Sequence, residues 1–275
     1  MSSDDVLFSA VILSYNSARY LESCVEALVT CFAGFDGRSE IHVFDNGSRD
    51  GSAALLGALT ERHPEVLKPH YSAVNTGTTV SRNRALAACR GRYVLVLDSD
   101  AIIGFDALAQ LRTTLDAAPD IGMVVPQLRY PDGRYQLSTD QFPTVTRKLQ
   151  RFLRLRSLEQ AAQAPSAPID VDYAISACWL LPRAVVETVG PLDENIFYSP
   201  EDVDYCVRVW LAGYRIVFEP RAVAIHDAQE LSRGAKLGKF TWRHAQGLLY
   251  YFRKHRYCFS RAGLKRRFPR RGASG

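Results

Sequence analysis

Asp98 and Asp100 stand two residues apart, directly after the apolar run at 93–97. On an extended backbone such side chains point the same way, so both carboxylates can approach one cation. Mg²⁺ and Mn²⁺ are commonly held by one or two carboxylates, with phosphate oxygens completing the coordination. The spacing therefore favours a metal and diphosphate site, while the alternative use of such a pair is a turn or a helix cap.

A second acidic run follows Ser199 and Pro200 and contains Glu201, Asp202 and Asp204. Ser suits the N-cap of a helix, Pro its first position, and acidic residues its positive end. The sequence thus predicts a helix from Ser199, with an ion pair between Asp204 and a basic residue four positions later.

The elements that must position these residues alternate along the first 125 residues. β-Branched runs predict strands, amphipathic stretches between them predict helices, and this repeat indicates a mostly parallel, Rossmann-like sheet flanked by helices. Ligands of such sheets bind beyond the carboxyl ends of the strands. The predicted strands are 8–13, 41–44, 93–97 and 123–125, and the predicted helices are 18–31, 51–61, 79–88 and 105–117. Three strand ends then bring polar residues to one edge: 14–16, 45–48 and 98–100.

The later part of the chain has a different pattern. Pro131, Asp132 and Gly133 predict a hairpin turn, 171–181 and 221–225 predict strands, and 147–156 predicts a basic amphipathic helix before a loop at 161–168. We divide the chain into a first half at 1–125, a second half at 126–230, and a basic helical tail at 231–275.

Composition narrows the class of protein. The apolar runs are too short to cross a bilayer, the acidic N-terminus does not resemble a secretory signal, and the six cysteines lack metal or disulfide spacing, so a cytoplasmic protein is expected. The net charge of +5 hides an asymmetry, because residues 231–275 contain 13 Lys or Arg and no acidic residue. Such a tail, with interleaved aromatic residues, favours an anionic membrane surface and a peripheral location; a solvated C-terminal helix is the alternative.

The motifs occur together and in order. The set resembles the family-2 glycosyltransferases from about residue 6 to residue 226. That resemblance implies a GT-A fold, a nucleotide-diphospho sugar donor and inversion at the anomeric carbon. It also makes 1–125 the nucleotide-sugar-binding half and 126–230 the acceptor-binding and catalytic half. The segments that carry it are 11–16, 43–52, 75–77, 81–85, 91–93, 98–100 and the Glu-Asp-x-Asp run at 201–204.

The resemblance also implies roles for individual residues. Asp202 becomes the general base, Glu201 orients the acceptor or caps the helix, and Asp100 binds Mg²⁺ or Mn²⁺. A histidine at the position of His226 supplies a third metal ligand in some relatives, and a structural histidine is the alternative. Trp179 offers a stacking face for the acceptor sugar or else a core side chain. The nucleotide-sugar-binding residues are then Ser14, Tyr15, Asn16, Asp45, Asn75, Gly77, Arg82, Asp98 and Ser99, with Asp98 also at the metal.

The resulting prediction is an inverting, metal-dependent transferase that moves a sugar from a UDP- or dTDP-linked donor to a saccharide or lipid-linked acceptor. The stretch at 250–255 is similar to rhamnosyltransferase-like members. Two alternatives remain: a sugar nucleotidyltransferase, which should open on a Gly-rich basic loop, and a non-catalytic protein whose tail binds membrane or nucleic acid. The acidic body of the chain argues against nucleic acid as a partner.

Overall fold

The computed structural model describes residues 5–148, 163–228 and 239–269. Most of the basic helix predicted at 147–156, together with the start of the predicted loop at 161–168, lies outside these residues. The strands are β1 Val6–Ser14, β2 Arg38–Asn46, β3 Leu67–Ser72, β4 Tyr93–Asp98, β5 Ala101–Ile103, β6 Ile121–Arg129, β7 Tyr135–Gln136, β8 Thr139–Asp140, β9 Ile169–Asp170, β10 Tyr173–Ala174, β11 Cys178–Pro182 and β12 Arg215–His226. The helices are α1 Leu21–Ala33, α2 Ser52–Arg62, α3 Thr78–Leu86, α4 Phe105–Asp116, α5 Arg183–Val189, α6 Glu201–Leu211, α7 Lys239–His255 and α8 Ala262–Lys265.

Ten strands form one sheet, with the main order β3-β2-β1-β4-β11-β6-β12-β5. The first four of these strands are parallel, β11 runs antiparallel between β4 and β6, and β12 is parallel to β6. The predicted mostly parallel sheet with flanking helices is confirmed. Because β1, β2 and β4 run in one direction, their carboxyl ends meet at one edge and bring the three predicted polar segments there.

β3, which forms the edge of the sheet beside β2, is absent from the strands predicted from the sequence. Its sequence, LKPHYS, contains Pro69, which lacks an N–H group for a second neighbour. Proline is tolerated in an edge strand, where one side of the backbone needs no partner.

The predicted strand at 171–181 is also different in the structure. The chain forms β10, which pairs with β8 in a small separate sheet, and then β11, which enters the main sheet. A turn at Ser176 and Ala177 separates the two strands. The hairpin around Gly133 agrees with its prediction, since β6 and β7 pair antiparallel across it.

The two larger apolar cores among the described residues lie around this sheet. One contains side chains of α1 and α4, such as Leu28 and Leu111, packed on the sheet. The other contains Trp179 of β11, Val207 of α6 and Tyr251 of α7, all buried. The C-terminal helix therefore contributes to the second core, which the sequence analysis did not predict.

Helix α7 has 17 residues. Among the described residues, no helix combines the length and apolar character that crossing a bilayer requires.

Candidate active site

The ends of β1 and β2 form one wall of the site. Ser14 and Asp45 are paired in the parallel register and both are buried. Asp45 Oδ1 accepts a hydrogen bond from the Ser48 N–H at 3.0 Å. Asp45 Oδ2 and Ser14 Oγ are buried without a hydrogen-bond partner among the described residues. Buried polar atoms are normally paired, so these two oxygens are available to a ligand that supplies polar hydrogens.

The loop after β1 is fastened to the loop after β2. Asn16 has a left-handed backbone with φ of 52°. Its N–H donates to Ser48 Oγ at 2.9 Å, and its side-chain oxygen accepts from the Arg49 N–H at 2.9 Å. Tyr15, in contrast, is exposed and presents its ring at this edge. The structure thus brings Ser14, Tyr15, Asn16 and Asp45 together, as predicted for a base and ribose site.

Asn75 and Gly77 shape the loop before α3. Asn75 Oδ1 accepts hydrogen bonds from Asn46 Nδ2 at 3.1 Å and from the Gly77 N–H at 2.9 Å. Gly77 has φ of +90°, and a Cβ atom there would lie 2.5 Å from the Phe197 carbonyl oxygen. Only glycine meets both conditions without strain. Asn46, which the sequence analysis did not select, holds this loop against the end of β2.

Asp98, Asp100 and His226 converge where β4, β5 and β12 meet. Nε2 of His226 lies 3.3 Å from Asp100 Oδ1 and 4.0 Å from Asp98 Oδ2. One ligand atom from each residue fits within a group 4.8 Å across. Pairing of His226 with Ala101 at the end of β12 fixes this approach. Two carboxylates and an imidazole suit Mg²⁺ or Mn²⁺ with open positions for phosphate oxygens.

The other ring nitrogen of His226 also has a partner. Nδ1 lies 2.8 Å from Oε1 of Gln136, a buried residue of β7. If Nδ1 carries the proton, Nε2 keeps its lone pair toward the two aspartates, which is the orientation of a metal-binding histidine. Gln136 is not among the predicted site residues, because nothing in the local pattern shows that β7 and β12 both pair with β6.

The electrostatics of the cluster are consistent with a cation site. Burial raises the pKa of Asp98, Arg82 opposes that rise, and the nearby Asp100 carboxylate adds to it. Burial would lower the pKa of His226, but the neighbouring carboxylates outweigh it and raise that pKa. Negative charge is therefore concentrated at this point of the sheet, and a divalent cation would relieve the repulsion. Ser99, between the two aspartates, is buried, and its Oγ donates to Ser17 Oγ at 2.8 Å.

Arg82 of α3 links this cluster to the second acidic segment. Its side chain is 2% exposed and bonds Asp98 Oδ1. The same guanidinium donates to Ser176 Oγ at 2.6 Å and lies 3.6 Å from Glu201 Oε1. Ser176 Oγ in turn donates to Glu201 Oε1 at 3.3 Å. The guanidinium predicted to lie along the diphosphate thus contacts protein groups on both sides of the site.

Glu201 and Asp202 open helix α6. The predicted start is wrong by one position: Pro200, with ψ of 68°, is the N-cap, and the Ser199 side chain forms no cap. Burial and the charge of Asp202 raise the pKa of Glu201 to about 8, against the opposing effect of Arg82. Burial also raises the pKa of Asp202, whose Oδ1 accepts from the Val203 N–H at 2.7 Å. Asp202 is only half-buried, so it is the more accessible carboxylate of the two.

Helix α7 holds this segment from outside. A Cβ atom on Gly247 would lie 2.2 Å from the Ser199 carbonyl oxygen, which shows how closely the two backbones approach. Asp204 forms the predicted pair with Arg208 at 3.1 Å, and it also contacts Lys254 and His255, each at 2.7 Å. These last two partners could not be found by spacing, since they lie 50 and 51 positions further along the chain.

Trp179 is a core residue in this structure. Its side chain is 2% exposed, and its ring stacks on Tyr205 with 5.8 Å between centroids. An acceptor sugar could not reach this ring without rearrangement of the core. The structure agrees with the packing alternative that the sequence left open, and we do not assign Trp179 to the acceptor.

Comparisons with known proteins place the chain among sugar transferases. It is 29% identical over 241 residues to N-acetylglucosaminyl-diphospho-decaprenol L-rhamnosyltransferase of Mycobacterium tuberculosis, covering 81% of this chain and 76% of that one. It is also 29% identical to the uncharacterized protein y4gI of Sinorhizobium fredii, but the match covers 83% of this chain and only 25% of that much longer protein.

Solved structures give the same fold. A mannosyltransferase from Pyrobaculum calidifontis, in complex with GDP-Man and Mn²⁺, superposes with a TM-score of 0.61 at 21% identity, over 91% of this chain and 64% of that one. TarS 1–349 of S. aureus, in complex with UDP-GlcNAc, superposes with a TM-score of 0.57 at 20% identity, over 84% and 62% of the two chains. Residues 9–190 match the family described as Glycosyl transferase family 2, and the chain belongs to that family.

Proposed function

We propose that this protein transfers a sugar from a nucleotide-diphospho sugar to a hydroxyl group of a saccharide or lipid-linked acceptor, with inversion at the anomeric carbon. The observation that carries the proposal is the convergence of Asp98, Asp100 and His226, joined through Arg82 to the segment that contains Asp202. One group of residues is thereby suited to a leaving diphosphate and the other to an attacking hydroxyl.

The donor would lie along the carboxyl ends of β1, β2 and β4. The unpaired Asp45 oxygen would accept an N–H from a pyrimidine base, which agrees with a UDP- or dTDP-linked donor, and Tyr15 would contact the base or ribose. Asp98, Asp100 and His226 would hold Mg²⁺ or Mn²⁺ against the diphosphate. That cation would neutralise charge on the departing nucleoside diphosphate.

Asp202 would act as the general base. The acceptor oxygen attacks C1 of the sugar, the bond from C1 to the diphosphate oxygen breaks, and the hydroxyl proton passes to the Asp202 carboxylate. One displacement transfers the sugar, so no covalent intermediate with the protein is needed. Its accessibility favours Asp202 over the buried Glu201, whose raised pKa and contact with Ser176 suit a positioning role.

The relatives indicate an acceptor class. The Mycobacterium tuberculosis enzyme is named for a diphospho-decaprenol substrate and for rhamnose. By analogy we propose a lipid-linked acceptor, a deoxysugar such as rhamnose as the transferred group, and a peripheral position at the cytoplasmic face of a membrane.

Two variants test the mechanism together. Asp202→Asn should bind the donor with unchanged affinity, yet lose transfer by about 10²–10⁴-fold because it lacks a base. Asp100→Ala should lose transfer, donor hydrolysis and the rise in melting temperature that Mn²⁺ and donor produce together.

The donor is first identified by thermal shift across UDP-, dTDP- and GDP-linked sugars, and NMR of the product reports the anomeric configuration. Normal transfer by Asp202→Asn, or retention of configuration, would contradict the proposal.

A sugar nucleotidyltransferase is the alternative enzyme. Such an enzyme would make the nucleotide sugar from a nucleoside triphosphate and a sugar phosphate, and mass spectrometry would detect that product. In this chain the loop after β1 holds Ser14, Tyr15 and Asn16 where a Gly-rich basic loop would be expected, and we therefore favour sugar transfer.

A further inference from the structure

The C-terminal segment at 243–269 has an inner and an outer side. Its inner side contacts the body of the protein through Gly247, Tyr251 and His255, which are buried and recur at helical spacing. Leu249 and Arg253, four residues apart on α7, are exposed on the opposite side. The helix thus leaves an arginine and a large apolar side chain turned to solvent.

The chain after α7 adds further exposed basic and apolar side chains. Arg256 is exposed in the turn after the helix, and Phe259 is 72% exposed, more than any other large apolar residue in the described part of the chain. The Val145 N–H donates to the Cys258 carbonyl at 2.9 Å, so Val145, itself exposed, lies beside the residue that precedes Phe259 in the chain. Leu249 is 66% exposed. We call Val145, Leu249, Arg253, Arg256 and Phe259 the outer surface.

Exposed apolar residues are costly unless something covers them, and single ones need no explanation. Here three such residues accompany arginines that pair with no acidic side chain among the described residues. Residues 231–275 contain no acidic residue at all, whereas the remainder of the chain has more acidic than basic residues. The sequence is therefore polarised, and Arg253 and Arg256 of its basic C-terminal part belong to the outer surface, while residues 231–238 and 270–275 lie outside the described residues.

We propose that the outer surface docks this protein on an anionic lipid bilayer. Arginines attract acidic headgroups, and Leu249, Phe259 and Val145 enter the boundary between headgroups and acyl chains. Phosphate of nucleic acid would satisfy the arginines but would leave the three aliphatic or aromatic side chains in water, and the acidic body would be repelled.

Docking would also bring the candidate active site close to the bilayer. The inner side of α7 contacts the Ser199 carbonyl and, through Lys254 and His255, Asp204. A bilayer bound to the outer side would therefore lie one helix away from the segment that contains Asp202. The importance of this position for sugar transfer rests on the proposed function, but the docking itself does not.

Sedimentation with vesicles tests the docking. Full-length protein should bind vesicles of phosphatidylcholine with about one-third phosphatidylglycerol, should not bind phosphatidylcholine alone, and should be released as salt is raised. Arg253→Gln/Arg256→Gln should weaken binding by about 5-fold for each arginine, since each basic residue near such a surface contributes about 1 kcal/mol. Leu249→Ser/Phe259→Ser should weaken it further while the melting temperature stays near that of the parent.

Arg112→Gln/Arg183→Gln is the matched control, because it removes the same charge from exposed positions on α4 and α5. Equal loss in the control and test variants, equal binding to both kinds of vesicle, or an arginine dependence seen only with an oligonucleotide would overturn the proposal. The Asp202→Asn protein should sediment like the parent. Transfer to a water-soluble acceptor, measured without vesicles, tests the proposed function separately.

Discussion

Arg82 is the side chain through which the cluster of Asp98, Asp100 and His226 contacts the start of helix α6 at Glu201. Its planar guanidinium serves Asp98 and Ser176 at the same time, while it approaches Glu201. A lysine carries the same charge but has a single donor atom, so it cannot serve both sides with the same geometry. The role of Arg82 thus depends on the shape of its head group as well as on its charge.

Arg82→Lys tests this dependence. We expect kcat to fall by about 10–100-fold, corresponding to the loss of roughly 1.4–2.7 kcal/mol of stabilisation. The loss should appear in kcat more than in KM if Arg82 aligns the two carboxylate groups. Arg84→Lys, an exposed position on the same helix, is the control and should retain activity. Equal kcat in the two variants would show that the planar guanidinium of Arg82 is not needed for transfer.

Glu201 makes a pH-dependent contribution to stability. Its pKa is raised to about 8, from an ordinary value of 4.5, first by burial and then by Asp202. The native state therefore retains a proton that the unfolded chain has released, and the free energy of unfolding falls as pH rises from about 4.5 to 8. Glu201→Gln removes this titration.

We therefore expect the melting temperature of Glu201→Gln to exceed that of the parent by more at pH 8 than at pH 5. In the free energy of unfolding, the change between pH 5 and pH 8 should differ between the two proteins by on the order of 2 kcal/mol, measured in EDTA so that metal binding does not contribute. A difference that is independent of pH would mean that Glu201 is ionised in the native state across this range.

Local pattern predicted the site residues that end strands. Asp45, Asp98 and Asp100 stand where apolar runs stop, and the parallel topology brings those ends together. Gln136 and the contacts of Ser176 were not predictable in this way, because they depend on the antiparallel insertion of β11 and on the β6–β7 hairpin. Such pairings join residues far apart in the chain and leave no local periodicity.

At the scale of elements, the packing of helix α7 against the body of the protein was not predicted from the sequence. Its basic and aromatic composition suggested an appendage, but Tyr251 is completely buried and Gly247 meets the backbone at Ser199. A buried face is hard to recognise when arginines and lysines occupy the remaining positions. The edge strand β3 was missed for a related reason, since its partly buried, proline-containing sequence lacks the apolar run of a central strand.

Gly247→Ala tests the contact between α7 and the backbone at Ser199, just before helix α6. The added methyl group would lie 2.2 Å from the Ser199 carbonyl oxygen, so either the helix or the start of α6 must move. Overpacking of this kind costs about 1–3 kcal/mol. We expect a lower melting temperature and a reduced kcat, with donor affinity unchanged.

Gly263→Ala is the matched control, because a methyl group on that helical glycine meets no atom within 4 Å. Alanine also has the higher helix propensity, so the control should be neutral or slightly stabilising. If Gly247→Ala behaved like Gly263→Ala, the close approach of α7 to Ser199 would have no role in holding the start of α6 in place.

At the scale of the whole molecule, the second core is completed only by the C-terminal segment. Tyr251, Tyr257 and Leu264 are buried in it together with residues of β11 and α6. Removal of buried side chains of this size costs about 2–5 kcal/mol each, and domains are stable by only about 5–15 kcal/mol. The C-terminal segment is therefore expected to be necessary for folding, in addition to any role at a membrane.

A chain ending at residue 228 tests this expectation. It should be insoluble, or should lack a cooperative thermal transition, and it should not bind donor even though every predicted donor residue is retained. Circular dichroism and calorimetry of the truncated and full-length chains provide the measurement. A cooperative transition within a few degrees of the full-length value would show that 239–269 is dispensable.

The single sheet has a consequence for engineering. β4, from the part predicted to bind the donor, is hydrogen-bonded directly to β11, from the part predicted to bind the acceptor, so the two parts share one sheet. A chimaera that exchanged residues 1–125 with those of another transferase would have to rebuild this strand pair and the burial of Arg82 together. Donor preference should therefore be altered by substitutions at the ends of β1 and β2, where the loops contact each other, rather than by recombining halves.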